Sequence, residues 1–178
     1  QLLLQKPPGI KIQMGFQFLQ SSAIREALSW WKNKAMGEVI HFSFTFRHSD
    51  YLKKSYREKR RSRLTPAPSG GAMSDLGSHA ISLMVAFLGN DLKLTGALQS
   101  GSFEDVPETS DLFSEISLYD PKSKASGNLS ASRVSSGIGD MLAFEIFTTK
   151  GALKYNSLNP DRFEYYLEEE GRWSTLFT

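Results

Sequence analysis

The sequence predicts an α+β domain made of two helices and one mostly antiparallel sheet. Three observations carry that prediction. Residues 19–34 and 72–89 repeat their apolar positions with a helical period. Everything after residue 91 breaks into short strand-like runs. Tight turn signals separate several of those runs: Asp120-Pro121, Lys150-Gly151, Asn159-Pro160 and Glu170-Gly171.

The bulk numbers fit one globular domain. The chain has 178 residues, 40% of them hydrophobic and 22% charged, enough to bury a core without staples. It has no Cys, which removes disulfides, Cys-ligated zinc and Cys nucleophiles together. The net charge of +2 is too small to point to nucleic acid. No apolar run approaches the roughly 20 residues of a membrane helix, and the first residues, without a basic stretch ahead of an apolar one, are not expected to be a signal peptide. A cytoplasmic protein without nucleic-acid or membrane partners is therefore expected.

The elements follow in order. "QLLLQKPPG" reads as a last helical turn and a stop, and "GRWSTLFT" ends within a strand-like run, so a piece of a longer chain is expected. "IKIQMGF" alternates as a short strand. In the helix at 19–34, Leu19, Ala23, Ala27, Leu28 and Trp31 share a face, and Gly37 ends the segment. Of the adjacent Trp30 and Trp31, one is expected in the core and one at an interface. "EVIHFSFTF" is a strand with Ile40, Phe42, Phe44 and Phe46 on one face and His41, Ser43 and Thr45 on the other. Residues 49–70 are basic and Pro-rich and read as an irregular loop. The runs "LKLTGALQ", "SDLFSEISLY", "SGNLSASRVS", "LAFEIFTT", "GALKYN", "FEYYLEE" and "RWSTLF" complete the sheet.

The helix "GGAMSDLGSHAISLMVAFLG" carries the chemistry. At about 100° per residue, with Asp75 at zero, His79 lies about 40° away, Ser82 about −20° and Ala86 about 20°. Met73, Ala80, Met84 and Phe87 lie near the opposite side. The helix thus has one apolar face and one small or polar stripe. Two readings stand open. Asp75 can simply favour the helix N-terminus with His79 as its partner one turn on. Alternatively, the stripe lines a cleft, where a His beside a carboxylate exchanges protons near neutral pH. Gly70 and Gly71 permit close approach of a backbone or ligand.

This helix resembles the signature of the second domain of the glucose–fructose oxidoreductase / inositol dehydrogenase / rhizopine-catabolism (Gfo/Idh/MocA) family. That signature is Gly-Gly, a gap, Asp, Leu-Gly, any residue and His. "IKIQMGFQF", "LSWWKNKAMGEVIHFSFTF", "SGNLSASRVSSG" and "FEIFTTKGALKYNSLNPDRFEYY" resemble other family segments in the same order. The resemblance implies an open sheet with helices on one face, following a Rossmann domain. Residues 1–15 would be the tail of that Rossmann domain, its last helix turn and strand. Residues 16–178 would be the C-terminal substrate-binding and oligomerisation domain. The implied parent is an NAD(P)-dependent oxidoreductase acting on a sugar, cyclitol or similar polyol. His79 takes the position of the catalytic His and Asp75 that of the substrate-binding Asp, with Ser82, Arg133 and Gly71 as further candidate substrate contacts. The exposed sheet face, expected to be rich in Phe and Tyr, would pair with another copy. The alternative is a non-catalytic binding or assembly module that keeps the fold.

The chain departs from the family pattern in places. Ser82 stands where an Asp is usual, and Gln17, Phe18 and Leu19 follow Gly15-Phe16 where an Arg-Phe pair is frequent. Lys6-Pro7 resembles part of the family's Glu-Lys-Pro, but only Pro8 and Gly9 separate it from the next strand, so Lys6 reads as a helix end. "KKSYREKRRSR", residues 53–63, reads as a solvated loop or as a seat for a phosphorylated substrate or acidic partner. Arg133 reads as a mid-strand residue in a cross-strand salt bridge, or as a substrate contact. Nothing in the spacing of His41, His48 and His79 favours a metal site. "SSGIGD" reads as a hairpin turn, and no glycine-rich turn between strand and helix offers a cradle for a pyrophosphate. The expected NAD or NADP therefore belongs to the parent, and none is expected for this chain alone. Titration calorimetry of the 178-residue chain with NADH or NADPH should show no saturable binding.

Overall fold

The computed structural model describes residues 9, 11, 14–33, 36–64, 71–101 and 103–178. A 3-10 turn at Gln17–Gln20 leads into helix α1, Ser22–Asn33. Strand β1 is Val39–Arg47, followed by the short helix α2, Lys54–Lys59. A π-helical turn at Met73–Gly77 runs into α3, Ser78–Leu88. Seven strands follow: β2 Lys93–Ser100, β3 Phe113–Tyr119, β4 Ser126–Ser132, β5 Met141–Thr148, β6 Gly151–Asn156, β7 Arg162–Leu167 and β8 Arg172–Phe177. They form one sheet in the order β2-β3-β4-β1-β5-β6-β7-β8. Every pair is antiparallel except β1 with β4. The predicted α+β class and all seven late strands are present, displaced by at most a few residues.

Alternation decides which face is covered. Phe42, Phe44 and Phe46 on β1, Leu129 and Ala131 on β4, and Leu142, Phe144 and Ile146 on β5 point to one side. Helices α1 and α3 cover them with Ala23, Ile24, Ala27, Ala80, Leu83, Met84 and Phe87. Phe144 sits at the centre, 1% exposed, its ring stacked 5.2 Å from Phe44 and 4.8 Å from Phe87. The other sheet face carries His41, Ser43, Glu145, Phe147, Lys154 and Trp173, and no described helix covers it. Lys154 ties this face together through an ion pair to Glu145 at 3.1 Å and a cation–π contact 4.4 Å from the Trp173 ring.

A second, smaller core lies beside the first. Tyr51, Leu64, Val106 and Leu112 are buried there, with Tyr56, Phe103 and Val134 against them. Arg57 fastens it. Its guanidinium makes a two-pronged pair with Asp105 at 2.9 Å, donates to the carbonyls of Tyr51 and Leu52, and lies 4.0 Å from the Phe103 ring.

Several expectations are corrected. The segment 49–70 is not an irregular loop where described: it carries a 3-10 turn at Asp50–Leu52, then α2, then another at Arg61–Arg63. Arg57, 5% exposed, makes part of the basic run structural instead of solvated. The first helix starts at Ser22, and the preceding residues form a separate turn. Met14–Phe16 are not strand; most of the rest of the predicted first strand, and Lys6-Pro7, lie outside the described residues. Ile40 is 52% exposed because a register shift between Val39 and His41 turns it off the core face. Gly137 does sit in a turn with positive φ, but it does not close a hairpin, since β1 lies between β4 and β5. Trp30 and Trp31 both pack, half-buried, against this domain's core: Trp30 lies on Tyr165, and the Trp31 indole donates to the Phe87 carbonyl at 3.1 Å. The open face also carries aromatic rings among its polar groups, with Tyr119, Phe147, Tyr166, Trp173 and Phe177 in register on that side.

Among the described residues, no helix is long and apolar enough to cross a membrane. Phe144→Ala should lower unfolding free energy by about 3–5 kcal/mol, because the ring leaves a cavity where strand and helix meet. Urea denaturation checks this as a lower midpoint at unchanged slope.

Candidate active site

The start of the π-helical turn that runs into α3 is built by packing. Gly71 has φ +86°, a conformation that side chains rarely adopt, and Asp111 fills the space where its Cβ would stand. The Asp111 carboxylate accepts from the Met73 amide at 2.8 Å and also from the Ser114 hydroxyl. It thereby satisfies one of the amide donors that every helix start leaves open. Gly77 serves the same packing one turn on: a Cβ there would collide with the Met73 sulfur and touch Ala131 on β4.

The turn between these glycines is π-helical, and Asp75 lies within it, close enough for its charge to act on His79. Asp75 is not hydrogen-bonded to His79. Its Oδ2 accepts from two guanidinium groups, Arg133 at 2.8 Å and Arg63 at 3.1 Å, leaving Oδ1 out of both pairs. Arg133 is wholly buried. It also donates to the Arg63 carbonyl at 2.8 Å and lies 4.6 Å from the centre of the Tyr51 ring. Its Nε and the Tyr51 hydroxyl are buried without hydrogen-bond partners among the described residues. Burial pushes the Tyr51 phenol up, against the pull of Arg133 and Arg63. Arg133 stands one residue past the end of β4, not mid-strand, and its carboxylate partner is on a helix, not a neighbouring strand.

His79 sits in an aromatic cage. Phe16, Phe18 and Phe46 meet its ring edge-on at centroid distances of 5.7, 5.7 and 5.8 Å. Its Nδ1 is buried without a partner among the described residues. Burial holds the imidazole below its ordinary range, and the nearby charge of Asp75 offsets only part of that. Ser82 does not point a free hydroxyl into this space: its Oγ donates to the His79 carbonyl at 2.7 Å. Gly71 likewise meets Asp111, and its contribution is to bring the helix start close to that carboxylate.

The structure thus brings Asp75, Arg133 and His79 together and turns Ser82 inward. Sequence reasoning missed Arg63 as an individual residue, Tyr51, Asp111 and the role of Phe46. Arg63 lay hidden in the basic run, and its only signal was closeness to the Asp75 helix. No described group of three or more His, Asp or Glu side chains is arranged to hold a metal ion. Nor does the helix start suit a dinucleotide, because the Asp111 carboxylate occupies and charges the place where a phosphate would approach.

Comparison with known proteins decides the family. Residues 24–154 match the model for the GFO/IDH/MocA C-terminal domain. The chain belongs to the GFO/IDH/MocA family. No functionally curated protein matches it. Among solved structures, the domain is similar to levoglucosan dehydrogenase in complex with NADH and levoglucosan, with TM-score 0.80 and 19% identity. That match covers 92% of this chain and 46% of the other. It is also similar to an inositol dehydrogenase homolog with NAD+ from Azotobacter vinelandii, at 0.79 and 14%, over 92% of this chain and 42% of that one. An NAD-binding oxidoreductase from Klebsiella pneumoniae gives 0.79 and 21%, over 96% and 48%. This chain therefore spans less than half the length of each of these relatives.

The cage around His79 has a titration consequence. Above pH 6.5 the ring is neutral in both folded and unfolded chains. As pH falls below 6.5, the unfolded chain takes up its proton first, so this family member loses stability until the folded ring also titrates. His48, lowered by its own burial, adds in the same sense. An NMR titration should place His79 below 6.5, and Phe18→Ala, which admits water to the ring, should move it back up.

Proposed function

We propose that this chain is the substrate-binding and oligomerisation domain of an NAD(P)-dependent oxidoreductase acting on a sugar, cyclitol or similar polyol. On this reading residues 1–15 end the Rossmann domain and 16–178 form the second domain. The hydride acceptor is supplied from outside this chain, and the chain alone is inactive. The observation that carries the reading is the state of His79: an imidazole kept neutral by burial, caged by three rings, one turn from a carboxylate that two arginines hold still.

A polyol oxidation needs a group that takes the hydroxyl proton and groups that orient the sugar. A neutral imidazole is ready to accept that proton near pH 7. With Nδ1 buried, Nε2 is the nitrogen through which His79 meets the substrate. Asp75 is held in place, since its Oδ2 is taken up by two guanidinium groups. Its Oδ1 suits the acceptor role toward a substrate hydroxyl. Arg133 orients Asp75 and fastens it to Arg63.

Contact between copies belongs on the uncovered sheet face, where Trp173 is 45% exposed beside polar groups. In the intact parent, His79→Ala should reduce kcat by about 10²–10⁴-fold, the usual worth of a general base. Light scattering should show the same oligomer for wild type and variant. Unchanged turnover, or a parent with none to lose, would favour a non-catalytic binding or assembly module.

A further inference from the structure

We propose that the substrate of this site carries an anionic group, a carboxylate or a phosphate, that docks on the guanidinium of Arg63. This deepens the reading above and rests on Asp75 and His79 lining the substrate site. The charge count carries the inference. Around Asp75 stand two guanidinium cations and one carboxylate, and both cations use the same oxygen. One carboxylate cannot neutralise both. Arg133 is wholly buried and committed to Asp75, to the Arg63 carbonyl and to the Tyr51 ring, so it has first claim on that charge. The surplus falls on Arg63.

Arg63 is also placed to use it. Its carbonyl is held by the Arg133 guanidinium at 2.8 Å and by the Gly71 amide at 3.1 Å. Among the described residues its side chain leans on Asp75 through one terminal nitrogen, and it is 52% exposed. A guanidinium presents five donors in a planar fork, and a carboxylate or phosphate takes two of them at once. An arginine anchored at its backbone and at one tip, with half of its side chain exposed and no further partner among the described residues, is preorganised for such an anion. The approach is favourable too. Residues 53–63 hold seven basic residues against Glu58 alone, and of these Arg57 is spent on Asp105. The basic run thus has a buried strut in Arg57 and an open anion donor in Arg63.

The test uses the intact parent enzyme with one matched sugar series: glucose, gluconate, glucuronate and glucose 6-phosphate. An anionic member should exceed glucose in kcat/KM by about 10- to 100-fold, the worth of hydrogen bonds to a charged group. The carboxylate and phosphate arms show which anion is preferred. The preference should shrink with added salt. Arg63→Gln should collapse it, and Arg63→Lys should keep part of it. No preference for an anion, or a preference that survives Arg63→Gln in a variant with an unchanged thermal melt, overturns the proposal. If no sugar is oxidised, equilibrium titration of the same series decides. Anion binding abolished by Arg63→Gln upholds the anion subsite independently of the dehydrogenase reading, which stands or falls on His79→Ala. Absence of anion binding overturns the subsite itself.

Discussion

The site depends on how one buried charge is satisfied. Arg133 has no exposed side-chain surface, and an isolated guanidinium in such a place would cost several kcal/mol. Asp75 answers it at 2.8 Å, and that contact joins the end of β4 to the π-helical turn before α3. The Arg63 carbonyl answers it from another side, tying in the segment that follows β1. Three stretches far apart in sequence meet on one guanidinium. A carboxylate so held is a fixed acceptor, and the helix that bears it holds His79 in turn.

Fixed geometry is also what the aromatic cage supplies. Phe46 comes from β1, and Phe16 and Phe18 from the turn before α1. Their edges face the imidazole, so the ring is positioned by shape and kept neutral by exclusion of water. Asp111 and Gly71 play the matching part at the helix start. None of these residues needs to touch a substrate to matter for chemistry on one.

Much of this was legible in the sequence, for identifiable reasons. The strands after residue 91 alternate cleanly and end at Gly or Pro turns, so their existence and limits followed from local pattern. The Asp75 and His79 positions stood out because polar residues in an apolar helix are few. What escaped was non-local. The wheel offered His79 as the partner of Asp75, whereas the carboxylate accepts its hydrogen bonds from Arg133 and Arg63, residues that no local pattern could bring to it. Helical turns within residues 50–63 were hidden because their amphipathic signal is short and their anchor, the Arg57–Asp105 pair, joins residues far apart. Ile40 followed the alternation on paper, and a register shift overrode it. The inward hydroxyl of Ser82 belongs to helix geometry that composition does not reveal.

The place of β1 has a further consequence. It is the earliest strand described, yet it lies in the middle of the sheet, between β4 and β5. Phe44 finds its neighbours only in Leu129 and Phe144. Pairing across such sequence distances is slow, because the loop must close before any contact rewards it. During synthesis a strand of alternating phenylalanines therefore waits, unpaired, for most of the chain to emerge. The α1 helix made just before it, with Ala23, Ile24 and Ala27 facing the same core, is the nearest apolar cover the nascent chain can offer.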